Sequence, residues 1–213
     1  MTTTVLVAGA HGQVGRHVTE SLAESDREVR AMVRDDSQTD EMESLGATAV
    51  VADLTDSVAH AVRDCNAIVF AAGSGGEAVY DVDRDGAIRL IEAAEDEGVD
   101  RFVMLSSMGA DDPATGPDPL RDYLTAKAEA DAHLRESQLT HTIVRPGELT
   151  TEPGTGEIRA ADSLEMDSGD IPREDVATVL VTAIDEASVY GETFEILSGD
   201  EPIETALEAV GSA

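Results

Sequence analysis

The sequence predicts an α/β fold: a single domain, residues 1–213, built on a doubly wound parallel sheet with helices on both faces. Two observations carry that expectation. Short Val/Ile/Leu/Ala runs alternate with helical segments of roughly 10–15 residues, which is the signature of βαβ units. The runs are apolar throughout rather than alternating with polar residues, as strands covered on both faces are. A hydrophobic content of 41% supports a buried core even though aromatic residues make up only 3%.

Taken in order, Thr4 to Ala8 (TVLVA) reads as the first strand and Val14 to Glu24 as the first helix. Further strands are expected at Val29 to Val33, Ala47 to Val51, Ala67 to Ala71, Phe102 to Leu105, Thr142 to Val144 and Thr193 to Ile196. Helices are expected near Thr39 to Leu45, Ser57 to Arg63, Val82 to Glu97, Leu120 to Ser137 and Arg173 to Glu186. Met108 to Pro119 (residues 108–119) and Glu148 to Asp170 (residues 148–170) break the alternation with Gly, Pro, Asp and Thr. Both follow predicted strands, and ligands of open α/β sheets lie outside the carboxyl ends of strands, so these are the expected substrate loops. For any single residue in them, plain surface connection is the preferred reading.

Charge excludes several function classes. With 45 Asp+Glu against 14 Lys+Arg the formal net charge is -31, so a broad basic face for nucleic acid or anionic membrane is not expected. Of the basic residues, Lys127 alone is lysine. Acidic excess, scarce Lys, abundant Ala and Thr and no Trp together resemble proteins of organisms with molar salt in the cytoplasm; an ordinary acidic protein is the alternative. Cys65 has no partner for an internal disulfide, which suits a reducing cytoplasm. No leader or membrane-length apolar run is seen, so a cytoplasmic protein is expected.

Gly9-Ala10-His11-Gly12-Gln13-Val14-Gly15 lies between the first strand and the first helix. Such a turn lets backbone N–H groups at a helix N-terminus face a pyrophosphate, with the first Gly for the turn, the next for close approach and the last for helix packing. The spacing G-x-x-G-x-x-G departs from the commonest dinucleotide fingerprint and is weak in isolation, but the flanking strand and helix strengthen it. A Gly-rich structural turn is the alternative. His11 reads as a spacer, and no His/Cys cluster suggests a metal site. After the second predicted strand come Arg34 and Asp35. Arg accommodates the 2′-phosphate of NADP and an acidic residue binds the 2′-OH of NAD, so the expected cofactor is NADP through Arg34, with Arg16 also in reach; Asp35 leaves NAD open.

Tyr123 and Lys127 fall at i and i+4 of a predicted helix, on one face. There an ammonium can stabilise a tyrosinate, and the phenol can exchange a proton with a carbonyl oxygen as hydride is transferred. An amphipathic helix with exposed Tyr and Lys is the bland reading. With three Tyr and one Lys, however, chance would place that Lys four residues after a Tyr only about three times in 213. Lysine is retained where a compact ammonium differs from a guanidinium. Ser106 and Ser107 end the fifth strand, and Ser107 is taken as the hydroxyl that holds the substrate oxygen, Ser106 being nearer the strand body.

The glycine turn, Asp53-Leu54, Ser106-Ser107, Tyr123-x-x-x-Lys127 and Arg145-Pro146-Gly147 come in an order that resembles atypical short-chain dehydrogenase/reductases, specifically the small NAD(P)H-binding, NmrA-like or flavin-reductase-like group. The resemblance runs from Val5 to about Leu197 and implies a Rossmann fold with a nicotinamide cofactor. It implies an adenine contact for Asp53 beside Leu54, an N-cap being the alternative, and close cofactor approach at Ala71-Ala72-Gly73. It places Arg145 and Pro146 at the nicotinamide end and gives Lys127 a cofactor-binding as well as a catalytic part. The cofactor set is thus Gly9, His11, Gly12, Gln13, Val14, Gly15, Arg34, Asp53, Leu54, Ala71, Ala72, Gly73, Lys127, Arg145 and Pro146, with Ser107, Tyr123 and Lys127 catalytic. The expected activity is an NADP(H)-dependent oxidoreductase of a small carbonyl, quinone or flavin-like substrate. A noncatalytic NADP-binding redox regulator and an epimerase or dehydratase are the alternatives. About 66 residues follow Gly147, too few for the substrate domain of nucleotide-sugar enzymes. A small-molecule substrate is the expected partner, and a homodimer is left open.

Overall fold

Strand β1 (Thr4–Ala8) shows why this sheet is covered twice. Val5 and Val7 enter one apolar layer, Leu6 and Ala8 the other, and all four are fully buried. The computed structural model describes residues 3–165 and 169–211. Within them follow α1 (Gln13–Ala23), β2 (Glu28–Val33), α2 (Thr39–Ser44), β3 (Thr48–Val51), α3 (Ala59–Val62) and β4 (Ala67–Phe70). A turn of π-helix, Val79–Arg84, leads into α4 (Asp85–Glu97), β5 (Arg101–Leu105), α5 (Arg121–Glu136) and β6 (Thr140–Pro146). Then come β7 (Glu148–Thr150), β8 (Glu157–Ala161), β9 (Asp170–Pro172), α6 (Arg173–Thr182), β10 (Thr193–Ser198), β11 (Glu201–Pro202) and α7 (Ile203–Val210).

Among the described residues, nine strands form one sheet in the order β11-β8-β10-β6-β5-β4-β1-β2-β3. All pairings from β3 to β10 are parallel. Helix α1 brings Val14, Val18 and Leu22 to the layer that also receives Val176 and Leu180 of α6, and α7 adds Leu207 and Val210. The opposite layer is filled by Leu90, Ile91 and Ala94 of α4 and Ala130 and Leu134 of α5, against Ile68, Phe70 and Phe102. Helix α4 stops at Gly98, whose φ of 71° closes the helix in the left-handed conformation.

Strand order reverses between β1 and β4, which open outward to either side. That is the topological switch point, where the crevice beyond the strand ends takes a ligand. The wound α/β architecture expected from the sequence is therefore present, as a mostly parallel sheet flanked by helices.

The departures lie mainly after β6. Residues 148–170 are not one loop: β7 pairs in parallel with β9, Leu149 opposite Ile171, in a small second sheet, and β8 returns antiparallel to β10. Residues 166–168 of that stretch lie outside the described residues. Strands of three to five residues among Gly and Thr carry too little periodicity to be read singly. Helix α7, also unforeseen, buries Ile203, Ala206, Leu207 and Val210. The sixth strand runs longer than Thr142 to Val144, so Arg145 and Pro146 belong to it.

The accessible surface is 9960 Å², or about one net negative charge per 320 Å². Raising salt from about 0.1 M to about 1 M shortens the Debye length from ~10 to ~3 Å. The midpoint of thermal unfolding in KCl should accordingly rise by several degrees over that range; a midpoint that stays put would show that carboxylate repulsion is too weak to matter.

Candidate active site

The turn from β1 into α1 leaves no space for side chains at two points. Gly9 has a φ of 82°, and a Cβ there would stand 2.5 Å from Ala72 Cα; a Cβ on Gly15 would stand 2.1 Å from the Gly9 carbonyl oxygen. Gly12 is the N-cap of α1 and its N–H donates to the Gly9 carbonyl at 2.9 Å. No side chain caps α1 and no acidic residue stands in its first turn, in a chain with 45 of them. Its free N–H groups and positive dipole end therefore remain available to an anion. Gly15 fills the packing part rather than facing the cavity, while Gly12, Gln13 and Val14 line a cleft of about 700 Å³.

A second volume of about 460 Å³ adjoins the first, and the two share Gly12, Ala71, Ala72, Gly73 and Gly75 as a common wall. Gly9, His11, Arg34, Asp53 and Leu54 line it. Arg34 sits immediately after β2, and its guanidinium donates to no described residue. Asp35 instead turns away to cap the next turn, accepting from the Ser37 N–H at 2.8 Å. Hydrogen bonds from Ser37, side-chain first and then backbone, hold its carboxyl below the usual range. Arg16 pairs with Glu41, Nε to Oε1 at 2.9 Å, and lines neither volume. His11 Nδ1 lies 3.1 Å from the Gln38 amide nitrogen, and Nε2 lies 3.0 Å from a Glu41 carboxylate oxygen and 2.9 Å from Arg16 Nη2. Asp53 accepts from the Thr55 N–H and hydroxyl through Oδ1, and those bonds keep its carboxyl low. It caps this turn and not α3, which starts only at Ala59, and still borders the cavity.

At the other end α5 delivers its residues in steps of four. Leu124, Ala126, Ala130 and Leu134 are buried and fix the helix face. Tyr123 is half-buried at the cleft, whereas Lys127 is only 2% exposed. The Lys127 ammonium donates to the Leu105 carbonyl at 3.0 Å and lies 5.8 Å from the centre of the Tyr123 ring and 5.6 Å from that of Phe70. Both residues, together with Ser106, Ser107 and Pro146, line the 700 Å³ cleft. Ser106 is buried and donates to Asp131 at 2.8 Å; Ser107 is half-buried, with its hydroxyl 3.3 Å from the Met108 carbonyl.

The structure corrects the place of Arg145. Its Nε and Nη2 donate to Asp131 Oδ2 at 3.1 and 3.0 Å, with Asp131 fully buried and Arg145 6% exposed. The guanidinium thus lies behind Ser106, and it does not line the cleft. The physical reason is alternation along β6: Pro146 reaches the cleft, so its neighbour Arg145 points to the other face. Burial pushes the Asp131 carboxyl upward, against the pull of Arg145. Cys65 is buried and lines neither cavity; desolvation raises its thiol pKa, away from nucleophilic use. Among the described residues no group of three or more His, Cys, Asp or Glu could hold a metal ion.

Sequence reasoning missed three residues here. Asp131 continues the four-residue spacing of Tyr123 and Lys127, a signal that was there to find. Asp83, fully buried with its Oδ1 3.7 Å from Lys127 Nζ, carried none. Arg173 lines the cleft from the start of α6 and donates to the Leu149 carbonyl at 2.9 Å; its place depends on the unforeseen pairing of β7 with β9.

The chain matches the NAD(P)H-binding family over residues 9–187. It is 42% identical over 212 residues to the uncharacterized sugar epimerase YhfK of Bacillus subtilis, covering 96% of this chain and 98% of that protein. A putative NAD-dependent epimerase/dehydratase from Bacillus halodurans has a similar structure, with a TM-score of 0.94 at 41% identity over 98% of this chain and 100% of that one. ChuY, an anaerobilin reductase from Escherichia coli O157:H7, gives 0.80 at 25% identity over 93% and 98% of the two chains.

If Arg145 is a buried partner of Asp131, Arg145→Ala should lower the unfolding free energy by about 3–5 kcal/mol, because the carboxylate is left uncompensated. Urea unfolding checks this, and an unchanged free energy combined with lost cofactor affinity would return Arg145 to the cofactor.

Proposed function

Because the chain belongs to the NAD(P)H-binding family, we propose that it is an NADP(H)-dependent oxidoreductase acting on a small carbonyl, quinone or flavin-like compound, with Tyr123 exchanging the proton. The observation that carries this reading is the buried Lys127 ammonium beside the Tyr123 ring, in the same cleft as the uncapped N-terminus of α1. The residues present fit a dinucleotide. A pyrophosphate would meet the N–H groups at Gln13 and Val14, and the missing side chains at Gly9, Gly12 and Gly73, with only a methyl at Ala72, would permit close approach. The adenosine half fits the 460 Å³ volume, with Arg34 to take a 2′-phosphate and Asp53 and Leu54 along the adenine. When bound, a reduced nicotinamide supplies hydride.

The protein's own residues then handle oxygen and proton. Ser107 holds the substrate oxygen by its hydroxyl, which is less committed than that of Ser106. Tyr123 donates its phenolic proton to that oxygen as negative charge develops, and in the reverse direction accepts it. Lys127, a compact cation kept from water, stabilises the phenolate that remains. The strand-bound carbonyl of Leu105 fixes the ammonium, so no reorganisation of that charge accompanies the transfer. The small sheet of β7 and β9, with Leu149 and Arg173, bounds the substrate end.

A second reading is drawn from the names of the two Bacillus proteins: an epimerase or dehydratase that oxidises and reduces its substrate in one visit. It requires that purified protein retain oxidised nucleotide. A noncatalytic redox regulator would bind NADPH without consuming it on any carbonyl, quinone or flavin.

Two measurements test the preferred reading. Tyr123→Phe should cut turnover about a hundredfold or more while NADPH affinity stays nearly unchanged; full turnover in the variant would sink the acid/base role. Arg34→Ala should weaken NADPH about tenfold or more in a fluorescence titration, with NADH changed by less than about twofold. Equal losses for both nucleotides would reject the 2′-phosphate contact.

A further inference from the structure

Asp83 is a buried carboxylate at the cleft that the proposed chemistry leaves unused. It stands in the π-turn Val79–Arg84 ahead of α4, and π-turns occur frequently at functional sites. Its side chain is fully buried, and its two oxygens differ. Oδ2 accepts from the Ser74 N–H at 3.1 Å and the Ser74 hydroxyl at 2.6 Å, which secures the loop after β4. Oδ1 is buried and accepts from no group. The nearest cation, Lys127 Nζ, is 3.7 Å away, beyond hydrogen-bond length, and its known bond goes to Leu105. A buried carboxylate oxygen with no donor carries a large desolvation penalty, so a donor is to be expected when the site is in use.

The cleft shows where that donor comes from. Asp83 and Lys127 both line it, beside Gly73, where a Cβ would stand 3.4 Å from Asp83 Oδ1. An open acceptor and an ammonium with hydrogens to spare thus stand side by side. Neighbouring hydroxyls of a sugar satisfy both at once, one donating to the carboxylate and the other accepting from the ammonium. Gly73 also belongs to the wall shared with the adenosine-side volume, so the pair is met by a nucleotide that passes from one volume into the other.

We propose that Asp83 is a cofactor-binding residue whose Oδ1 accepts a hydroxyl of the nicotinamide-side ribose while Lys127 donates to its neighbour. The proposal rests on the nicotinamide nucleotide being the ligand of this cleft. It assigns Asp83 a contact rather than only a loop tether. It also gives the cleft a means of holding the nicotinamide half that is independent of the phosphate contacts at α1.

Binding to the full chain, without any turnover, tests it. Asp83→Asn keeps an acceptor for Ser74 but turns an N–H group toward Lys127. NADPH should then bind about tenfold or more weakly, while adenosine 2′,5′-bisphosphate, which lacks the nicotinamide half, should bind as to wild type; NADH and ADP form the parallel pair. Unchanged NADPH affinity overturns the proposal, and equal partial losses, with both ligands still bound measurably, reduce Asp83 to a loop tether and overturn it too. Should the variant bind neither ligand, wild-type protein decides: an NADPH analogue lacking one hydroxyl on the nicotinamide-side ribose should bind about tenfold more weakly, and equal binding refutes the contact. Wild type that binds none of these nucleotides removes the cofactor reading, and the proposal with it.

Discussion

The cleft depends on one contact that admits no methyl group, the first turn of α1 against the end of β1. Gly15 packs onto the Gly9 carbonyl so closely that a Cβ would be 2.1 Å from its oxygen. Gly9 in turn sits on the backbone after β4, where Ala71, Ala72 and Gly73 keep the second wall low. This closeness at the switch point brings the uncapped end of a helix to the place where the strands part. Larger residues would push α1 outward and would cover the N–H groups that face the cavity.

Buried charge gives the second level of order. Most of the carboxylates in this chain are solvated, and their number says little about the site. Inside, Asp131 accepts from Arg145 and Ser106 through Oδ2 alone, its Oδ1 having no donor, and Asp175 accepts from the N–H groups of Thr155 and Gly156. Asp83 is likewise satisfied on one oxygen and without a donor on the other, and of the two it is Asp83 that lines the cleft. In a low-dielectric interior an unmatched group weighs more than several paired surface charges. The incomplete group that borders the cleft is therefore more informative about ligand than the net charge of the whole.

Helix α5 joins these two levels. Tyr123, Lys127 and Asp131 descend one face in steps of four: the phenol at the cleft mouth, the ammonium at its floor, the carboxylate behind the wall. Each position meets a different dielectric, so a single helix supplies the phenol of the proposed proton exchange, a buried cation and a structural anchor for Ser106. The same helix face would serve a reductase or an epimerase, since both need a proton shuttle beside the nicotinamide. What would separate them is the substrate contact, proposed for the end of the cleft that Leu149 of β7 and Arg173 line.

By itself, the sequence determined the wound α/β order, the glycine turn and the Tyr123/Lys127 pair, because each rests on local chemistry: continuous apolar runs, residues without side chains at a strand-to-helix junction, and a helical spacing of four. It also pointed to Arg34, since the end of β2 is readable from its hydrophobic run. Only the tertiary structure decided that Arg145 faces away from the cleft, that Arg16 is held by Glu41, and that residues 148–170 contain strands. Those outcomes depend on which face of β6 meets α5 and on pairings between segments far apart in the chain. Asp83 was hidden for a related reason. One carboxylate among 45 acidic residues carries no pattern, and it becomes distinctive only when the fold buries it beside the one lysine and leaves an oxygen without a donor.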